Sequence, residues 1–127
     1  MEELRSTTLI SWILALILAW FFFQNGWPKL VPAEDITTQF EDWGYSGQFA
    51  RLIGILECVG ALIVLFPRLA FYGSLLLTGL MLGAVYTHLA TGIGSPYMAI
   101  LLLVLALMQA ILTRRKALFL FRRDKEQ

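Results

Sequence analysis

The sequence predicts an all-α membrane protein: a four-transmembrane-helix bundle, N-in/C-in, with a polar outer connector between helices 1 and 2. Three observations predict it. Hydrophobic residues make up 58% of the 127 residues and charged residues only 15%, with a mean hydropathy of +0.71. A soluble domain carries about 25% charge, so these few charges cannot cover a water-facing surface around so much apolar mass. Uncharged runs of about 20 residues, the length a helix needs to cross a bilayer, recur along the chain. The Lys and Arg residues gather in a few flanks, the pattern that sets membrane orientation. The whole of 1–127 reads as a single transmembrane domain.

The first span covers about residues 7–26, within a stretch that carries no charge and has Leu9–Phe23 as its apolar heart. A cleaved secretory signal is the competing reading, with Val31-Pro32-Ala33 as the cleavage site. Glu2 and Glu3 beside Arg5 give no positive start, and that site lies far from the apolar core. The polar connector over 27–47 holds Pro28, Pro32, Gly44 and Gly47 and the acids Glu34, Asp35, Glu41 and Asp42. A short helix from Glu34 to Trp43 lying along the membrane surface fits it, with Trp27 and Trp43 at headgroup level. The second span covers about 48–66 and stops at Pro67-Arg68. Leu69 to Thr113 then runs without a charge and is too long for one crossing. Gly92-Ile93-Gly94-Ser95-Pro96 breaks it into spans of about 69–89 and 96–113, followed by a basic cytoplasmic tail over 114–127.

Orientation follows from the cations. Arg5, Arg68 and the tail residues Arg114, Arg115, Lys116, Arg122, Arg123 and Lys125 fall on one side, against Lys29 and Arg51 on the other. The tail cluster is therefore a topology signal and not a nucleic-acid site, and Ala117–Phe121 reads as an interfacial segment. One cysteine, Cys58, excludes an intramolecular disulfide and two-cysteine redox chemistry within the chain. With one histidine, His88, one subunit cannot build a zinc site from Cys and His alone, and no metal is expected. Walker, GxGxxG, HExxH and nucleophile-elbow motifs are absent. Catalysis would need a bound cofactor, a partner subunit or intramembrane acid–base groups.

Glu57 is the most informative position. It lies midway along the second span among Ile55, Leu56, Val59 and Leu62, where a lipid-facing carboxylate would cost several kcal/mol. It must face the bundle and find a partner, either as a proton-handling or ligand-orienting group or as a structural link between helices. Arg51 lies about 9 Å along the axis and roughly 120° around it. It is read first as an interfacial residue and second as a contact for an anionic group. His88, Lys29 and Arg51 fall at one depth and could line an outward-opening vestibule with Glu57 below. Gln24 and Asn25 end the first span at that level, free to bond a ligand or another helix end. Gly79 and Gly83 form GxxxG in the third span, a motif that permits close helix approach within the bundle or between subunits. Cys58 is read as an inert small hydrophobe.

Several short motifs stand in a fixed order: Gly26-x-x-Lys29-Leu30, Gly44-Tyr45, the run from Arg51 to Ala61, Pro67-Arg68, Gly83-Ala84 and His88-Leu89. In order and spacing they resemble the DoxX and DoxX-like family of small four-helix membrane proteins, from about residue 9 to 110. The resemblance implies a bundle in a bacterial or archaeal cytoplasmic (inner) membrane. The family is named for a subunit associated with thiosulfate:quinone oxidoreductase, and some relatives are linked to membrane oxidoreductase complexes that handle thiol or oxidative stress. Gly26, Lys29, Arg51, Gly54, Glu57, Gly60 and His88 match its recurrent positions, with Gly54 and Gly60 as packing positions.

The function expected is a component of a membrane redox system that binds a quinone-like or other amphipathic molecule. Lys29, Arg51 and His88 would orient the head and Glu57 would handle protons. The alternative is a non-catalytic scaffold or assembly factor. The lipid bilayer is the expected surrounding, with a second copy of the chain or a membrane oxidoreductase as protein partner.

Overall fold

The computed structural model describes the backbone of residues 2–126 and the side chains of residues 8–114. The expected cation flanks at Arg5 and from Arg115 to Lys125, and the Ala117–Phe121 side chains, lie outside the described side chains. Among the described residues there are five helices and no strand: α1 (Glu2–Leu30), α2 (Glu34–Asp42), α3 (Gly47–Val64), α4 (Ala70–Thr91) and α5 (Tyr97–Glu126). Four of them are long and apolar enough to cross a membrane, over Thr8–Leu30, Gly47–Val64, Ala70–Thr91 and Tyr97–Arg114.

Local chemistry sets most boundaries. Ser46 caps α3, its hydroxyl accepting the Phe49 N–H at 3.1 Å. Glu34 and Asp35 sit in the first turn of α2, where the helix dipole favours acids. That helix ends in a Schellman turn, with Tyr45 N–H on Phe40 O and Gly44 N–H on Glu41 O, and Gly44 takes the left-handed φ of 94° that the turn requires. Gly92, at φ 68°, stops α4 in the same conformation.

Two boundaries differ from expectation. The last span was expected to close near 113, and the membrane-length stretch does end at Arg114; the helix itself continues past it through Glu126, where a tail was expected. The first was expected to close near 26; α1 instead runs through Pro28 to Leu30. Proline removes one N–H in the final turn, and its cost there is small beside the contacts this turn makes. Gly26 lies flat against α3, and Lys29 reaches across to the same helix.

The helices α1, α3, α4 and α5 pack in cyclic order, and α2 lies on α3. In lipid, apolar area gives little drive for helix association, so close packing of small residues carries more of it. A Cβ on Gly54 would stand 2.6 Å from Lys29 Cβ and 2.8 Å from Gly26 O; one on Gly60 would stand 2.6 Å from Leu77 Cδ2. Gly73 extends this second seam, where a Cβ would come within 2.8 Å of the Val64 nitrogen. Leu18, Phe22 and Leu77 are fully enclosed at the centre. Ser74, Thr78 and Thr113 satisfy their hydroxyls on carbonyls four residues back, and Gln109 Nε2 donates to Ser11 O at 3.0 Å, tying α5 to α1. Leu9, Leu16, Trp20, Leu62, Leu82 and Ile111 point outward.

Candidate functional site

The site grows from the seam between α1 and α3. Because Gly26 and Gly54 carry no side chain, α1 comes close enough for Lys29 to meet α3 near its middle. Lys29 Nζ donates to Glu57 Oε1 at 2.7 Å, an ion pair joining the two helices. Glu57 is only 2% exposed, whereas the Lys29 side chain keeps 21%. Lys29 Nζ also stands 6.0 Å from the centre of the Phe40 ring, close enough for a cation–π contact. Glu57 Oε2 is buried and has no hydrogen-bond partner among the described residues. A buried acceptor without a donor costs about 1–3 kcal/mol, more when charged.

Glu57 forms part of the wall of a cavity of about 350 Å³ lined by α1, α3, α4 and α5 and by the α2 region. Small-molecule sites occupy about 300–1,000 Å³ and are mostly apolar with a few placed polar groups. Ile53, Leu80, Met81, Ala84, Met98, Ala99 and Leu102 supply the apolar wall. Four aromatic residues of α2, the turn after it and the start of α3 line the same space: Phe40, Trp43, Tyr45 and Phe49. Phe40 meets Trp43 edge-on at 5.2 Å, and Tyr45 lies 4.7 Å from Phe49 between ring centres.

Polar groups around the aromatic cluster are fixed. Thr87 gives its proton to Gly83 O, so the Tyr45 hydroxyl, 2.9 Å away, donates to Thr87 Oγ1. His88 Nδ1 lies 2.9 Å from Ile93 O. A carbonyl only accepts, so Nδ1 carries the proton and Nε2 of the neutral ring is left as an acceptor. Trp43 stacks edge-on against the same imidazole at 5.2 Å and bonds Ile93 O through its indole N–H.

Of the residues singled out from the sequence, Lys29, Glu57, His88 and Asn25 line this one cavity. Asn25 also gives an amide hydrogen to Phe21 O. Arg51 and Gln24 are exposed and do not line it. Arg51 is set roughly 120° around the α3 axis from Glu57, so the two do not share a face. Lys29 is not a flank residue but part of α1. Gly79 and Gly83, read as a close-packing motif, do not serve as one within the chain: a Cβ at either would meet nothing within 4 Å, and both line the cavity. Cys58 is buried and free, with its sulfur turned to Gly26. The sequence did not single out Phe40, Phe49 or Thr87, and Tyr45 entered only through the Gly44-Tyr45 motif; the clustering of aromatic residues in the connector was the available signal. Among the described residues no group of three His, Cys, Asp or Glu side chains could hold a metal.

Comparison with known proteins bears on this arrangement. The model of the DoxX-like family matches residues 13–111, which contain the ion pair, the cavity and the aromatic cluster. An uncharacterized protein of Bacillus subtilis (strain 168), YwoB, is 27% identical, with 86% of this chain and 80% of the relative covered. No solved structure matches the chain. With the family match spanning most of the sequence and four helices fit to cross a bilayer, the chain belongs to the DoxX-like family and is a multi-pass membrane protein.

Proposed function

We propose that the protein binds a quinone-like amphipathic molecule in the cavity that Glu57 lines, as a component of a redox system in the cytoplasmic membrane. The observation that carries this reading is Glu57, with its Oε2 buried and unpartnered, among the lining residues of a mostly apolar cavity. The residues fit such a ligand: an apolar wall for a ring and its substituents, and polar contacts at Lys29, Glu57 and His88. The cation distribution supports placing both termini in the cytoplasm, which puts α2 and the cavity on the opposite side. The test is purification from membranes in mild detergent, organic extraction and mass spectrometry. A near-stoichiometric quinone in the wild type that is lost in Glu57→Gln is the expected result; folded protein that never carries a small molecule refutes the reading.

One observation favours a second reading. The Lys29–Glu57 pair bridges α1 and α3, and such a pair is also what a non-catalytic scaffold needs to hold its helices. On that reading, Glu57→Gln impairs assembly with a membrane partner or a second copy and changes no bound molecule.

A further inference from the structure

We infer that the cavity selects a ring whose head group donates hydrogen bonds, such as a phenol or hydroquinone, over the same ring bearing only carbonyl or ether oxygens. The inference rests on the proposed ligand cavity and goes beyond it by assigning the polarity of the head. Glu57 Oε1 is taken by the Lys29 ammonium at 2.7 Å, and a carboxylate paired in this way offers Oε2 as an acceptor. That oxygen is buried and lacks a partner, and it belongs to a residue, 2% exposed, that lines the cavity. His88 lines the same space with Nδ1 committed to Ile93 O, which leaves Nε2 as a second acceptor. Tyr45 cannot answer either of them, because its proton goes to Thr87.

Lys29 is the opposing group, since an ammonium would welcome a carbonyl. It already donates to Glu57 and keeps some exposure, so it gains less from a ligand than an enclosed, unmet carboxylate oxygen does. A carbonyl placed against Oε2 would set two electron-rich oxygens together and leave the acceptor unmet. A hydroxyl there completes a charge-assisted bond, among the stronger hydrogen bonds proteins make. The body of the ring has room against α4, where Gly79 and Gly83 present backbone and no side chain. A bulky side chain at either would take up ligand space without displacing a neighbour.

The probes are 2-naphthol and 2-methoxynaphthalene, alike in shape but differing in the donated proton. Each is titrated into protein-loaded nanodiscs, followed by intrinsic fluorescence, and corrected with empty nanodiscs for partition into lipid. A hydrogen bond to a charged group corresponds to a tenfold or larger preference for 2-naphthol. That preference is the expected result, falling toward one in Glu57→Gln, while Gly83→Leu weakens both probes with the preference unchanged. The wild-type ratio decides the matter even where Glu57→Gln fails to fold. Equal binding of both probes, or tighter binding of the ether, overturns the donor assignment and leaves the cavity reading standing. Saturable binding of neither probe overturns both.

Discussion

A carboxylate in the middle of an apolar helix needs a reason, and here it has half of one. Lys29 neutralises Glu57, but only one of the two carboxylate oxygens is met. Taking two charges out of water costs several kcal/mol each, and their attraction returns this only where further hydrogen bonds complete the geometry. Removing one partner alone is worse, because the other is left charged and enclosed, at a cost of about 3–5 kcal/mol. A thermal-unfolding cycle in detergent should therefore be strongly non-additive. Lys29→Met and Glu57→Leu each lower stability, and the double variant recovers part of the loss. Simple addition of the two losses would show that the groups do not meet. Glu57's need for a partner was legible in the sequence, since hydrocarbon tolerates no bare carboxylate. Lys29's identity as that partner was not, because Pro28 suggests that the helix has ended. Contacts made by Gly26 and Lys29 outweigh one missing backbone donor.

Element packing turns on which glycines touch. Gly54 and Gly60 stand where a methyl group would strike a neighbour at 2.6 Å, whereas Gly79 and Gly83 face open space. Alanine should therefore act in opposite directions along the chain. Gly54→Ala and Gly60→Ala force the helices apart and lower stability by about 1–3 kcal/mol, the usual cost of overpacking. Gly79→Ala gains up to about 1 kcal/mol from helix propensity. Thermal melting of the single variants in detergent checks this order, and a loss at Gly79 matching that at Gly54 would place Gly79 in a packed seam. Spacing could not separate the two sets. GxxxG states that a helix face is small, and which neighbour occupies that face is decided by helices elsewhere in sequence. The α2 region shows the same division. Its acids, turn glycine and tryptophans are readable as a surface helix, but the burial of Phe40 over the cavity depends on where α3 and α4 stand.

At the scale of the molecule, hydrophobic content and the long uncharged runs were enough to predict four crossings, and the breaks at Pro67 and at Gly92–Pro96 divide the chain where the helices do. The site was only partly legible. Glu57, His88, Lys29 and Asn25 come together, but Arg51, expected at the depth of Lys29 and His88, is exposed and does not line the cavity. Depth along a span can be read from sequence position; direction around the bundle needs the neighbours. The four spans present large apolar side chains outward and enclose the Lys29–Glu57 pair beside the cavity, as expected if the protein takes its ligand from the membrane. A crystal structure grown from a lipidic mesophase tests this most directly. The account predicts Lys29 closed on Glu57 and ordered density for a compact molecule against Glu57 Oε2. A carboxylate turned toward the acyl chains, or a cavity filled by the protein's own side chains, would contradict it.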